Sequence, residues 1–323
     1  MNEELKNAII IFCHLATLLL LSPLVNSIIK KTKALLQRRK GIPLAQGYYD
    51  LIKYFHKETV ISNQTSWIFL VTPVVLFSSI LLAGLLIPLF SEFGSIKILG
   101  GIIVFVYLLG LGRFFMALAA MEPGSGFCGM ASSREMMLSV LIEPVMLLSL
   151  IVLSLLSNST QIFTIVDSIA KHNLTLPSTG YVLAIIALFI ISIAEIGRIP
   201  FDNQETHYEL TMIHEGMLLE YSGKLLGLMI WSGWLKQLII ISLISNLIFP
   251  WGITNTFTLS SILTGFIFYI FKVFIFSIFI ALIETIIAKV RLFRVKDILI
   301  TSFVISVLAL ILIIQESGKV SLP

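Results

Sequence analysis

The chain has 323 residues, of which 57% are hydrophobic and only 12% are charged, and its mean hydropathy is +1.00. This composition excludes a water-soluble globular protein of this length. It predicts an integral membrane protein, because a spanning helix needs roughly 20 apolar residues and the chain supplies several such runs. The net charge of +4 gives no indication of a nucleic-acid partner, and none is expected.

The apolar runs lack period-2 alternation, which favours helices over an outer-membrane barrel. We predict an all-α, polytopic membrane helical bundle of about eight transmembrane helices, forming a single integral membrane domain over residues 1–323. The first run follows Glu3 and Glu4 and not a basic segment, so it is expected to be a retained span. The spans are predicted near 7–29, 67–90, 98–120, 137–157, 180–197, 223–249, 262–284 and 297–315.

Basic residues are concentrated in the odd-numbered loops between these spans. The positive-inside rule therefore predicts that these loops are cytoplasmic and that both termini lie on the outer side. We expect the four odd loops to be docking surfaces for partner proteins. They cover residues 30–66, 121–136, 198–222 and 285–296.

The first loop mixes cations with large apolar side chains, a pattern typical of an amphipathic helix on an anionic membrane surface. The Gly41–Pro43 interruption divides it into two pieces, which favours a shaped docking surface. The candidate docking residues are Arg38, Arg39, Asp50 and Lys53.

The second cytoplasmic loop contains three glycines in a GxGxxG arrangement, at Gly124, Gly126 and Gly129. A membrane span precedes them where a dinucleotide-binding motif requires a strand, so nucleotide binding is rejected. We expect a tight loop against a partner, with Arg134 and Glu135 available to pair across the interface.

An acidic segment over residues 194–223 lies between two apolar runs. Carboxylates at the edge of hydrocarbon are costly, which favours a functional role. One helix over 202–220 would place four of them on a strip about 60° wide, where repulsion raises some pKa values and protons are exchanged. These four are Asp202, Glu205, Glu209 and Glu220. The alternative is a helix cap with a solvated acidic face, and Gly216 would break the helix.

Five charged residues are predicted inside or at the ends of spans: Glu143, Glu195, Glu284, Lys236 and Lys272. Lys236 is too deep to reach headgroup water easily, so a carboxylate partner is expected, with Glu143 and Glu195 as candidates. Glu284 either reaches headgroup water or lies inside the bundle.

Arg198 follows Glu195 by three residues, so the two are expected to pair locally. The chain shows no ligand set for a metal or an iron–sulfur cluster. Cys13 and Cys128 are far apart, and His214-Glu215 lacks the second histidine of an HExxH motif. We therefore expect no metal, no catalytic residue and no redox centre on this chain.

Four separated motifs resemble those of the subunit 1 family of respiratory complex I. They are QRRKGIPLAQGYYDLIKYFHKE (37–58), MASSREMMLSVLIEP (130–144), AEIGRIPFDNQETHYEL (194–210) and RLFRVKDIL (291–299). With the eight-span layout, the resemblance covers essentially the whole chain. Ile42 before Pro43 and Gly47 at a usual proline position depart from the family pattern.

The segment DNQETHYELTMIHEGMLLEYSGK resembles the formate hydrogenlyase and energy-converting NiFe-hydrogenase branch of this family. His207 stands at a position that is often acidic in complex I, and the insertion IHEGML also departs from the quinone-reducing branch.

The resemblance implies a membrane-anchor and proton-coupling subunit in the cytoplasmic membrane of a bacterium or archaeon. It would link a hydrophilic redox arm to antiporter-like membrane subunits. The NiFe centre and iron–sulfur clusters would lie on hydrogenase-like large and small subunits and an iron–sulfur subunit. The proton-coupling carboxylates would be Glu143, Glu195, Asp202, Glu205, Glu209 and Glu220, to which we add Glu284. The intramembrane or interface cations would be Lys236, Lys272, Arg134 and Arg198.

Two alternatives stay open. In one, the chain is the quinone-chamber subunit of a complex I type NAD(P)H- or ferredoxin-quinone oxidoreductase, with its first and fifth loops around a bound quinone. In the other, it is a stand-alone ion transporter, which the lack of an internal repeat and the long docking loops disfavour.

Overall fold

The computed structural model describes residues 3–91, 101–171, 178–202, 212–254 and 258–320. These ranges contain ten α-helices and a short 3-10 helix, and eight of the α-helices are long and apolar enough to span a membrane. The all-α fold class and the number of spans are thereby confirmed. The helices are α1 Glu3–Leu36, α2 Gln46–His56, α3 Trp67–Leu85, α4 Ile102–Met121, α5 Gly126–Ser157, α6 Ile162–Lys171, α7 Thr179–Ile196, the 3-10 helix Glu215–Leu218, α8 Gly223–Ile248, α9 Leu259–Ile286 and α10 Leu292–Val320.

Two helices extend well beyond their predicted spans. Helix α1 continues to Leu36 and α5 begins at Gly126. The expected tight glycine loop is therefore wrong for Gly126 and Gly129, which lie in the first turn of α5. A span was predicted to end where charged or glycine residues begin, whereas a helix continues into water as long as its backbone hydrogen bonds are kept. The 34 residues of α1 correspond to about 51 Å, longer than the hydrocarbon core of about 30 Å.

Five spans, α3, α4, α5, α7 and α8, pack in a closed ring, in which each helix contacts the next and α8 returns to α3. Helices α1 and α9 pack on the α8 side of the ring, and α10 packs against α5 and α7. Helices α3 and α4 approach closely at Gly112, where a Cβ atom would lie 2.9 Å from the side chains of Leu76 and Ser79. The ring brings side chains from four different helices towards one interior.

Two short helices lie outside the eight spans. Helix α6 was not predicted. Helix α2 is the second piece of the expected amphipathic segment, and it docks on α1, where the Gly47 N–H donates to Ser27 Oγ at 3.3 Å. Leu51 of α2 is buried while Tyr49 and Ile52 are exposed, so one face of α2 packs on the bundle and the other is open. The side of the membrane on which the termini lie stays a prediction.

Candidate functional site

Arg113 of α4 is the centre of a buried charged cluster. Its Nη1 donates to Glu143 Oε1 at 2.8 Å, its Nη2 donates to Glu195, and its Nε lies 3.7 Å from Glu135 Oε1. Each nitrogen of the guanidinium therefore faces a different carboxylate, an arrangement that a planar, permanently charged fork can satisfy and an ammonium cannot. The arginine is only 5% exposed, so these ion pairs hold it in the interior of the ring.

Lys236 of α8 completes the cluster, because its Nζ lies 3.5 Å from Glu195 Oε1. This confirms the expected carboxylate partner and selects Glu195 over Glu143. We call Arg113, Glu135, Glu143, Glu195 and Lys236 the Arg113 cluster. It holds three carboxylates and two cations, so full ionisation would leave one uncompensated negative charge in a buried site. Burial disfavours such a charge, and the cluster is therefore suited to bind one proton.

The three carboxylates differ in their access to the exterior. The side chain of Glu195 is 1% exposed, that of Glu135 is 13% exposed, and that of Glu143 is 38% exposed. Glu143 faces a groove of about 670 Å³ between α4 and α5. Gly110 makes room there, since a Cβ atom at this position would lie 3.2 Å from Glu143 Oε1. A proton in the cluster thus has an exit through Glu143 into an otherwise apolar groove.

A second cluster surrounds Arg198, just after α7. Its Nη1 donates to Glu284 Oε1 at 3.1 Å, and its Nη2 donates to Asn26 Oδ1 at 2.7 Å and to Gln237 Oε1 at 2.9 Å. Lys33 Nζ lies 3.5 Å from Glu284 Oε2. We call these five residues the Arg198 cluster. Because it places one carboxylate between two cations, it joins α1, α8 and α9 to the end of α7.

The Arg198 cluster corrects two expectations. The local pair between Arg198 and Glu195 is wrong, because α7 ends at Ile196 and Gly197, at φ +66°, turns the chain away from helical geometry. Glu284 does not reach headgroup water either, since its side chain is 2% exposed and paired with Arg198 and Lys33.

Asp202 fixes the ends of the acidic segment. Its Oδ2 accepts hydrogen bonds from the backbone N–H groups of Ile213 and His214, both at 3.2 Å, and its Oδ1 lies 3.0 Å from Lys289 Nζ. Arg134 of α5 donates to the carbonyl oxygen of Met212 at 3.3 Å. Both flanks of residues 203–211 are thereby held against the bundle by charged side chains.

The predicted acidic strip is only partly within the described residues. Glu205, Glu209 and His207 lie outside them. From residue 212 onward the expected continuous helix is wrong, because this part contains turns and the 3-10 helix, and Glu220 is exposed while Asp202 is buried. Gly216 packs against α5, where a Cβ atom would meet the Ala131 Cβ at 2.7 Å. This close contact favours a compact turn over a helix that carries Glu220 alongside Asp202.

His214 lies between Asp202 and the Arg113 cluster in electrostatic terms. Burial, assisted by the positive charge of Lys236, lowers the pKa of His214 to about 3, while Asp202 and Glu195 act in the opposite direction. The imidazole is therefore neutral near pH 7 and can both donate and accept a hydrogen bond.

The remaining predicted site residues lie apart from the two clusters. Lys272 is buried in α9 and its Nζ lies 3.2 Å from Asn246 Oδ1. The docking candidates Arg38, Arg39 and Lys53 are exposed on the turn before α2 and on α2 itself. Asp50, half-buried on α2, accepts a hydrogen bond from Gln46 Nε2 at 2.8 Å.

Arg113 was missed as a candidate, although an arginine inside the apolar run of α4 was a readable signal. Glu135, expected to pair with a partner protein, is instead paired with Arg113 inside the chain. Asn26 and Gln237 are uncharged residues in apolar helices, and their sequence signal is weak. Among the described residues, no group of three or more His, Cys, Asp or Glu side chains is suited to hold a metal ion.

Comparisons with known proteins identify relatives over nearly the whole chain. The sequence profile described as NADH dehydrogenase matches residues 8–315. The chain is 35% identical to formate hydrogenlyase subunit 4 of Escherichia coli K12 over 271 residues, which cover 84% of this chain and 87% of that protein. It is also 35% identical to hydrogenase-4 component C of the same organism over 292 residues, covering 90% and 91%.

A more distant relative is an NADH-quinone oxidoreductase membrane protein of Paraburkholderia phymatum, 26% identical over 247 residues that cover 73% of this chain and 69% of that protein. Among solved structures, a chain of the membrane-bound sulfane sulfur reductase, an archaeal respiratory membrane complex, matches with a TM-score of 0.75. That match covers 94% of this chain and 99% of the other at 20% identity, and it shows a shared fold.

Proposed function

This chain belongs to the NADH dehydrogenase family of complex I-like membrane subunits, and from this we propose that it is the membrane-anchor and proton-coupling subunit of a formate hydrogenlyase or energy-converting NiFe-hydrogenase complex. Its relatives are subunits of multi-subunit membrane complexes, so it is a multi-pass membrane protein that works with partner subunits. The 35% identity to the two Escherichia coli subunits favours the hydrogenase branch over the quinone-reducing branch, to which its identity is 26%.

The observation that carries the proton-coupling role is the charge balance of the Arg113 cluster. Three carboxylates share two cations within hydrogen-bond or ion-pair distance, and one of the carboxylates opens onto the groove between α4 and α5. Interacting carboxylates bind and release protons as a group and not one by one. A charge change at a nearby redox subunit would shift this shared proton, because buried charges are screened weakly.

The proposed direction of transfer follows the order of the charged groups. Asp202 and neutral His214 lie next to the acidic segment, where the redox arm would dock. The Arg113 cluster lies deeper, and Glu143 forms its outlet. We propose that a proton enters beside His214, is shared by Glu135 and Glu195, and leaves through Glu143.

Partner assignments follow from the same geometry. The exposed face of α2 and residues 212–222 would contact hydrogenase-like large and small subunits and an iron–sulfur subunit, which would carry the NiFe centre and the iron–sulfur clusters. An antiporter-like membrane subunit would cover the groove at Glu143, because a half-exposed carboxylate facing lipid is costly. In the cell we expect this assembly in the cytoplasmic membrane of a bacterium or archaeon.

The test uses Glu143→Gln in the intact complex, in inverted membrane vesicles. We expect ion translocation per hydrogen evolved to fall to below about a tenth of the wild-type value, because the amide cannot carry the proton. The subunits should still copurify. Glu58→Gln, an exposed carboxylate on the loop after α2, is the matched control and should leave translocation unchanged. Normal translocation in Glu143→Gln would overturn the proposed role.

A second candidate function rests on a cavity of about 370 Å³ between α1, α2, α8 and residues 215–221. Lys30, Asp50, Tyr54, Glu215 and Trp234 are among the residues that line it, and its wall mixes polar with apolar groups. Burial, followed by the charges of Asp50 and Glu215, raises the pKa of Tyr54, so its hydroxyl stays a hydrogen-bond donor. This favours a quinone-chamber subunit, because a quinone needs an apolar pocket and a donor to its carbonyl oxygen.

The quinone alternative makes a separate prediction. Quinone reduction by the complex would be lowered by Tyr54→Phe, while hydrogen evolution would be unaffected. A complex that evolves hydrogen and reduces no added quinone would exclude it.

A further inference from the structure

Lys272 of α9 is a buried cation without a carboxylate partner in the part of the chain that the structure describes. It is 5% exposed, and its Nζ donates to Asn246 Oδ1 at 3.2 Å. Three other lysines at least partly buried in the bundle, Lys33, Lys236 and Lys289, each lie within 3.5 Å of a carboxylate oxygen. Lys272 is therefore held by a neutral amide where comparable lysines are held by an anion.

The orientation of Asn246 is fixed by a second contact. Its Nδ2 donates to the carbonyl oxygen of Pro88 at 2.5 Å, so its Oδ1 is the atom that faces Lys272. An ammonium carries three N–H donors, and a single amide oxygen leaves both donors and charge uncompensated. A buried cation of this kind is stable when an anion completes its surroundings.

An aromatic cleft of about 100 Å³ lies directly beside Lys272. Apart from the lysine, it is lined by Phe249, Trp251, Phe268, Phe271, Ile275 and Phe276. The cleft opens to the exterior, since Phe271 and Trp251 are exposed, the latter by 63%. The rings of Phe249 and Trp251 contact each other edge to face at 5.2 Å, so this wall of the cleft is already formed.

The level of the cleft in the membrane follows from the loop between α8 and α9. A Cβ atom on Gly252 would lie 2.7 Å from the Phe268 Cβ, so this loop is level with Phe268, one helical turn from Lys272. The 28 residues of α9 correspond to about 42 Å, so its ends extend beyond a hydrocarbon core of about 30 Å. Side chains on a helix lean towards its N-terminus, which directs the ammonium of Lys272 towards this loop.

Trp251 marks the same boundary. Tryptophan is enriched where hydrocarbon meets the headgroups, and the indole N–H of Trp251 makes no hydrogen bond with the described residues. The cleft thus offers two donors, the ammonium and the indole N–H, above an aromatic and aliphatic wall. An anionic group with attached hydrocarbon chains matches both features.

We propose that Lys272, Trp251 and the aromatic cleft between α8 and α9 bind an anionic phospholipid, with the lipid phosphate on the ammonium and an acyl chain along Phe271 and Ile275. This site lies on α9, apart from the Arg113 cluster, and it does not depend on the proposed proton-coupling role.

The test measures the thermal stability of the purified, delipidated complex after adding phosphatidylglycerol or phosphatidylcholine in the same detergent. The wild type should be stabilised at about fivefold lower concentrations of phosphatidylglycerol, the preference expected from one cation near a phosphate-rich surface. Lys272→Met should abolish the preference, and Lys272→Arg should keep it. The matched control is Lys171→Met, which removes a surface cation that pairs with Asp167 and should leave the preference intact.

Further arms separate other sources of the anion. If inorganic phosphate alone stabilised the wild type as well as phosphatidylglycerol does, a lipid site would be overturned. If Lys272→Met kept the lipid preference but released a membrane subunit, the anion would be a partner carboxylate and the proposal would also fail. A wild type that responds equally to both lipids would overturn it without any variant, so the proposal stays testable even if Lys272→Met does not fold.

Discussion

Arg113 of α4 donates a hydrogen bond to Glu195 of α7, a residue 82 positions further along the chain, and both side chains are almost completely removed from solvent. This pair ties two helices of the ring together and leaves the second oxygen of Glu195 facing Lys236. Because each member compensates the other, neither can be removed without leaving an unpaired charge in the interior.

Arg113→Met should therefore destabilise the protein by about 3 to 5 kcal/mol, since it leaves three carboxylates close together with only Lys236 to balance them. Thermal unfolding of the purified complex measures this loss. Arg113→Lys should recover only part of it, because one ammonium cannot face three carboxylates as a guanidinium does. A loss below about 0.5 kcal/mol in Arg113→Met would contradict the central role of this residue.

Asp202→Asn should loosen the segment that follows α7, because the amide lowers its attraction for Lys289 and weakens the hydrogen bonds from Ile213 and His214. Charge-assisted hydrogen bonds contribute about 1.5 to 3 kcal/mol. Hydrogen exchange at these two backbone amides should accelerate by about tenfold or more, which mass spectrometry of peptic peptides can follow. Asp167→Asn, at the half-exposed surface pair with Lys171, should change exchange at these amides not at all.

His214 should make the protein less stable as the pH falls below about 6.5. The folded-state pKa is about 3, whereas an unfolded histidine titrates near 6.5, so between these values the unfolded chain binds a proton that the folded chain does not. The contribution is present above pH 6.5 and is lost as the pH decreases.

The measurement is the unfolding temperature of the complex between pH 7 and pH 5, compared with that of His214→Gln. The variant cannot gain this proton on unfolding, so its decrease over this range should be smaller by about 2 °C. Identical decreases in the two proteins would show that His214 is already accessible to protons in the folded state.

Glu284→Gln should separate a structural carboxylate from a proton-carrying one. It leaves Arg198 and Lys33 without the anion they share, so we expect a loss of about 3 to 5 kcal/mol in stability with ion translocation per hydrogen evolved unchanged. Glu143→Gln should show the opposite result. If Glu284→Gln were stable and lost translocation, Glu284 would belong with the proton-coupling carboxylates.

Local properties of the sequence determined the parts of this protein that depend on one segment at a time. The eight spans, the amphipathic helix α2 and the burial of Lys236 beside a carboxylate all follow from hydropathy or from the cost of a charge in hydrocarbon. The ends of the helices were less predictable, as α1 and α5 show, because a helix does not stop where the hydrocarbon stops. The motifs quoted from 37–58 to 291–299 were sufficient to indicate the family.

Only the tertiary structure decided which charges meet. Lys236 had two candidate partners, Arg198 was assigned to the wrong one, and the central role of Arg113 was overlooked. The physical reason is that these pairs join different helices, and their choice depends on how each helix is rotated about its axis. Helices that are apolar on nearly every face carry no periodic signal for that rotation. It is set by close packing, such as the contact of Gly112 with Leu76 and Ser79, which places Arg113 in the interior of the ring.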